Sequence, residues 1–102
     1  MNQQAMLKKI KKMQDEMVAT QQEINDTVFY ANAGGVVSVE MYGTKELKKV
    51  NVSEDFEAEG KDDYEMLGDM IVAACNQAVK EIELVTEEKM SKYQSMLGGF
   101  GF

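Results

Sequence analysis

Two long segments of the chain repeat apolar residues at helical spacing, and a short segment between them repeats them at every second position. In the first, Met6, Ile10, Met13, Met17, Thr20 and Ile24 recur at alternating intervals of four and three, the seam of a helix packed against another helix. That pattern predicts a helix over about residues 3 to 26. In the last segment Leu67, Ile71, Ala74, Ala78, Ile82 and Val85 form one stripe, predicting a helix from about Tyr64 to about Met96. At ~1.5 Å per residue the two helices measure roughly 35 and 50 Å, more than a small sheet covers. Their ends must project or meet a partner.

From Thr27 the composition turns β-branched and aromatic, through Val28, Phe29 and Tyr30 to Gly34-Gly35, a pair that permits the positive φ angles of a hairpin turn. Val37, Val39 and Met41 then alternate with Val36, Ser38 and Glu40, as a half-buried strand requires. Gly43-Thr44 marks a second turn before Leu47 to Val52. The prediction is an α+β chain in the order helix, three-stranded antiparallel sheet, helix. Residues 53 to 63 read as an acidic loop in which Ser53 or Asp62 caps the second helix, with Asp63 and Glu65 in its first turn. One domain is expected over 1–97, followed by a flexible Gly/Phe tail over 98–102.

Composition narrows the chemistry. The 102 residues include no His, Arg, Trp or Pro and a single cysteine, so Ser, Cys and Tyr have no imidazole base beside them. No catalytic residue, cofactor or small-molecule substrate is expected. Gly34-Gly35 is not followed by Gly-Lys-Ser/Thr and does not open a helix, so it reads as a turn and not as a phosphate cradle. The acids between Glu54 and Asp69 lack the alternating spacing and central glycine of a calcium loop, and no metal is expected. Cys75, among Ala73, Ala74 and Ala78, reads as a buried structural thiol, and Asn76 beside it as a buried amide hydrogen-bonded at the helix packing surface. The nine methionines fall mainly at seam positions and read as packing. No stretch approaches the ~20 apolar residues of a membrane span, and no apolar signal core follows Met1-Asn2-Gln3-Gln4, so no membrane contact and a cytoplasmic location are expected.

Charge is unevenly distributed. The net charge is −7, yet Lys8, Lys9, Lys11 and Lys12 stand in a segment without acids, while Glu54, Asp55, Glu57, Glu59, Asp62, Asp63, Glu65 and Asp69 face only Lys61. Connectivity places the start of the first helix and the end of the second away from the sheet. Lys8, Lys9, Lys11 and Lys12 are therefore expected to gather with Lys89 and Lys92 at one distal tip, diluted by Glu87 and Glu88.

The segment Gly34-Gly35-Val36-Val37-Ser38-Val39, then Gly43, Val50-Asn51-Val52 and the run from Tyr64 to Ala78 that contains Leu67-Gly68-Asp69-Met70, resembles the YbaB/EbfC family of bacterial nucleoid-associated proteins. Together with the methionine- and glutamine-rich first helix, the likeness spans nearly the whole chain. It implies a tight homodimer with projecting helical arms that binds double-stranded DNA with little sequence preference, and a nucleoid-associated location. The chain departs from the family in having Ser53-Glu54 where a proline often follows the third strand, and in its proline-free tail. Its lack of arginine removes the bidentate guanine contact that most often reads sequence, leaving lysines suited to phosphate. On that resemblance, the DNA-binding residues are expected to be Lys8, Lys9, Lys11, Lys12, Lys89 and Lys92. A homodimer is also expected because the first helix's seam and the sheet's open edge need cover. The alternative function is a protein–protein interaction module that docks through its helices or its acidic loop.

Overall fold

Asn2 starts the first helix by accepting a hydrogen bond from the Ala5 amide at 2.7 Å, which satisfies one of the free donors at a helix N-terminus. The computed structural model describes residues 2–98. Helix α1 spans Gln3–Asp26 and ends where Thr27 turns extended and donates its hydroxyl to the Glu23 carbonyl at 2.7 Å. Strands β1 (Val28–Ala33), β2 (Val37–Tyr42) and β3 (Leu47–Val52) follow, and helix α2 covers Lys61–Gly98. The strands form an antiparallel sheet in chain order, with Val37 facing Ala33 on one side and Val52 on the other. Gly34 and Gly35, at φ 60° and 69°, make the β1–β2 turn in the left-handed region that side chains disfavour. The predicted element order is therefore the observed one.

One face of β1 and β2 is covered by the first half of α2. Phe29, Ala31, Val37, Val39 and Met41 meet Ala74, Ala78 and Ile82, with Leu67, Ile71 and Val85 packed around them. The small side chains at 74 and 78, both fully buried, let the helix lie close to the sheet. β3 is different: all six of its residues are exposed. By register, Val52, Val50 and Leu47 lie opposite Val37, Val39 and Met41, so they share the apolar side of the sheet but reach beyond the helix that covers it.

The second half of α2 leaves the sheet and pairs with α1. Met13 and Tyr93 are buried between the two helices, and Ile10, Met17, Thr20, Met90 and Leu97 are half-buried. The protomer is consequently long, 72 × 20 × 15 Å, with a Cα radius of gyration of 20.1 Å. A compact chain of this length would have about 13 Å.

Several local expectations are corrected. Helix α2 begins at Lys61, three residues before the predicted start, so Asp62 lies with Asp63 inside its first turn and does not cap it. Asp63 accepts instead from the Glu59 amide at 2.8 Å, and Ser53 Oγ accepts from the Asp55 amide at 3.2 Å within the loop. Cys75 is half-buried at the rim of the core. Asn76 is exposed in the protomer, because it sits about 200° around the helix from the sheet-facing Ala74. Of the predicted tail, Gly98 is the last residue of α2, and residues 99–102 lie outside the described residues.

Candidate nucleic-acid interface

The arm is built by two stripes on α2 that differ in direction. Leu67 to Val85 faces the sheet, and Thr86, Met90, Tyr93 and Leu97, again at intervals of four, three and four, form a second stripe facing α1. The base of the arm is fixed where α1 meets the β2–β3 turn. Gly43 is buried there, and its amide donates to the Thr27 carbonyl at 3.0 Å. Lys45, in the same turn at φ 75°, reaches Glu83 of α2 at 3.2 Å.

Every predicted site lysine lies on this arm, and every one is exposed. Lys9 and Lys12 line a groove with Met13, Glu16 and Met96, which sets the first turns of α1 beside the last turns of α2. Lys8 and Lys11 project from the side of α1 away from its seam, since the spacing places them more than about 100° from Met13. Because Tyr93 meets Thr20 in the antiparallel pair, Lys92 and Lys89 stand level with about residues 21 and 24 of α1, about 14 and 18 Å nearer the sheet than Lys12. The six lysines are therefore spread along the arm and around α1, not gathered at a single tip. Lys11 approaches Asp15 at 3.9 Å, and Lys92 Nζ lies 5.0 Å from the centre of the Tyr93 ring. Among the described residues, Lys8, Lys9, Lys12, Lys89 and Lys92 have no ion-pair partner.

The acidic segment is at the other end. Thr27 and Gly43 mark the arm side of the sheet, whereas Ser53 donates its amide to Val36 at 2.7 Å at the opposite side, and Gly34 abuts Met70 of α2 there. The loop from Glu54 and the first turns of α2 thus lie beyond the sheet from the lysines. The long axis carries the lysines, with Asp15, Glu16, Glu87 and Glu88 among them, at one end and a cluster of carboxylates at the other. Among the described residues no three His, Cys, Asp or Glu side chains converge to hold a metal ion. The hollow at the arm's base is lined by Gln21, Gly43, Lys45, Glu83, Thr86 and Met90, with Lys45 and Glu83 paired to each other and Thr86 Oγ1 bonded to the Ile82 carbonyl at 2.7 Å.

Two features were not read from the sequence. Tyr93 escaped because the apolar stripe on α2 changes direction after Val85, so a search along one face stops there; the four-three-four spacing from Thr86 to Leu97 was the available signal. The bare side of β3 was legible only as an edge needing cover, since alternation cannot show where a helix ends its coverage.

The YbaB/EbfC DNA-binding family model matches residues 1–97. A nucleoid-associated protein of Lactococcus lactis subsp. cremoris is 39% identical over 94 residues, covering 91% of this chain and 93% of its own length. One from Clostridium novyi is 41% identical over 93 residues, covering 90% of this chain and 80% of its own. The crystal structure of an uncharacterised protein from Helicobacter pylori shares the fold with a TM-score of 0.67 at 22% identity, covering 95% of this chain and 98% of that one. With a match running from the first residue through the end of the arm, the chain belongs to the YbaB/EbfC DNA-binding family.

Proposed function

We propose that this protein is a homodimeric, nucleoid-associated protein of the bacterial cytoplasm that binds double-stranded DNA with little sequence preference, organising the nucleoid or modulating gene expression. The observation that carries this reading is that Lys8, Lys9, Lys11, Lys12, Lys89 and Lys92 are all exposed on an arm that projects from the sheet. Lysine is a compact charge on a flexible stem, suited to phosphate oxygens, and phosphate contacts fix position without reading sequence. Support for the dimer comes from β3. Leu47, Val50 and Val52 are 45%, 39% and 41% exposed on the apolar side of the sheet, a contiguous surface that a second copy would remove from water. A dimer would also present two arms to one duplex.

The test is fluorescence anisotropy of two unrelated labelled duplexes at several salt concentrations, for the parent chain and for a variant with Lys8, Lys9, Lys11 and Lys12 all changed to Glu. The parent should bind both duplexes alike, with log affinity falling linearly in log salt at a slope near −0.9 per neutralised phosphate. The variant should lose binding while keeping its helical circular dichroism and its mass in light scattering. Unchanged affinity in the variant would remove these lysines from the site. Absence of parent binding even at low salt would replace the DNA reading with that of a protein-docking module, to be tested at Glu54 to Asp63.

A further inference from the structure

The arm's two helices meet along a seam that is poor at specifying its own alignment. Met13 is buried and Ile10, Met17, Met90 and Leu97 are half-buried in it. Unbranched methionine adapts to irregular gaps, so sliding one helix past the other by a turn, about 5.4 Å, would exchange one set of methionine contacts for a similar set. One contact in the seam is not interchangeable. Tyr93 is only 3% exposed, and its hydroxyl lies 3.2 Å from Thr20 Oγ1 across the helix pair. Among the described residues this is the only side-chain hydrogen bond between α1 and α2.

We propose that Tyr93 and Thr20 are positioning residues that fix the register of α1 on α2 and thereby the spacing of the arm's lysines. In a slipped register the Tyr93 hydroxyl would remain buried but would face apolar side chains. Leaving a buried hydroxyl unpaired costs more than its hydrogen bond contributes when made, so the slipped alignments are penalised even where their apolar packing is equal. A single polar group in an apolar helix seam has this role in coiled coils, where it selects register at some expense of stability. The link to the lysines is local. Lys92 is the neighbour of Tyr93, with its ammonium 5.0 Å from the ring centre, and Lys12 stands two turns from Thr20 on α1. The same contact that aligns the helices therefore fixes how far Lys9 and Lys12 stand from Lys89 and Lys92. The functional part of the inference rests on the proposed DNA contact, because duplex phosphates form a fixed array and a lysine displaced by a turn no longer meets its phosphate.

The experiment measures register and binding separately. Spin labels at Gln14 and Ser95, both exposed, are introduced in a Cys75→Ala background, the labelled chain is mixed with excess unlabelled chain so that a dimer carries one labelled copy, and the separation within that copy is measured by pulsed electron spin resonance in the full-length chain. The parent and Thr20→Ser, which keeps the hydroxyl, should give one narrow distance. Tyr93→Phe and Thr20→Val should give a broadened or displaced distribution, and Tyr93→Phe should do so without lowering the unfolding midpoint, which a residue contributing only stability would lower. In duplex binding, the slope of log affinity against log salt should become shallower in Tyr93→Phe by about 0.9 for each phosphate that a lysine no longer neutralises. A narrow, unmoved distance in Tyr93→Phe overturns the proposal, as does a broadened distance with unchanged affinity and slope. Should the parent not bind duplex at all, the DNA reading fails, and the label distances alone decide whether the pair sets the register.

Discussion

Gly43→Ala strikes the joint between arm and sheet. A Cβ at this position would overlap the Ile24 carbonyl and come within 3.0 Å of the Asn25 amide nitrogen, all backbone atoms of the last turns of α1. No rotamer can relieve a clash between a methyl group and backbone. The end of α1 must retreat by about 2 Å to restore ordinary van der Waals separation. That movement pulls apart the Gly43 amide and the Thr27 carbonyl, now 3.0 Å apart, in a site where Gly43 is buried and Ile24 is 1% exposed. Overpacking a tight site costs about 1–3 kcal/mol, and a buried amide left unpaired about 1–3 kcal/mol more. The expected loss of about 2–6 kcal/mol is a large share of the roughly 5–15 kcal/mol that holds a domain folded. Urea unfolding followed by circular dichroism measures it, at one fixed protein concentration because association would shift the midpoint. Gly68→Ala is the internal comparison. Nothing lies within 4 Å of a Cβ there, and the residue is exposed within α2, so the gain in helix propensity should stabilise by about 0.5–1 kcal/mol. A Gly43→Ala midpoint equal to or above that of the parent would refute the close approach as the reason for glycine at this position.

Val50→Lys places a charge on the uncovered side of β3 at a residue that is 39% exposed, so the folded chain should tolerate it while the proposed dimer dissociates. Light scattering at micromolar concentration should then report the protomer mass, and an unaltered dimer would move the proposed interface elsewhere. Ile82→Ala removes a side chain that is 1% exposed where α2 crosses the sheet, and should cost about 2–5 kcal/mol in chemical unfolding. Its duplex affinity, measured well below the unfolding midpoint, should match the parent, because the core residue contributes no charge to the arm.

Why some elements were legible and others were not follows from how local their signals are. Helix α1 was readable at both ends because its seam repeats over the whole length and β-branched residues follow it immediately, and β3 because two turns bracket it. The start of α2 was placed too late, since Gly60 and the surrounding acids look like loop; Asp62 and Asp63 instead favour the positive end of the helix dipole and are accommodated in its first turn. Asn76 was expected to be buried because its neighbours are small, but burial on a helix depends on phase. Ala74, Cys75 and Ala78 face the core, whereas position 76 points away from it. Connectivity alone places the lysines on the arm, with Lys8, Lys9, Lys11 and Lys12 toward its free end, but it also expects Lys89 and Lys92 at that tip, and these stand nearer the base. Their spread along the arm depends on how far α1 lies along α2, a tertiary register that no local pattern encodes.

The uneven distribution of charge reduces the conflict between a net charge of −7 and a proposed polyanionic partner, because the arm's lysines are matched by Asp15, Glu16, Glu23, Asp26, Glu87 and Glu88 and the excess of acid lies on the rest of the chain. At physiological ionic strength, electrostatic interactions between exposed groups fade over about 8 Å. The strands that separate the arm's base from the acidic loop are six residues long, about 20 Å, so the carboxylates of that loop lie more than two screening lengths from the lysines, whereas Asp15, Glu16, Glu87 and Glu88 stand among them on the arm. On the proposed reading, a phosphate at the arm would meet Lys8, Lys9, Lys12 and their neighbours, while the charge of the whole chain would be felt only at low salt. Under those conditions the acidic loop would be repelled by a duplex and the start of α1 attracted, which would turn the long axis of the chain toward it with the arm foremost. Net charge then governs orientation during approach, and local charge governs contact. Raising salt should weaken both, but neutralising acids in the 54–63 loop should accelerate association at low salt with little effect on the dissociation rate, because those residues stand too far away to touch the bound phosphates.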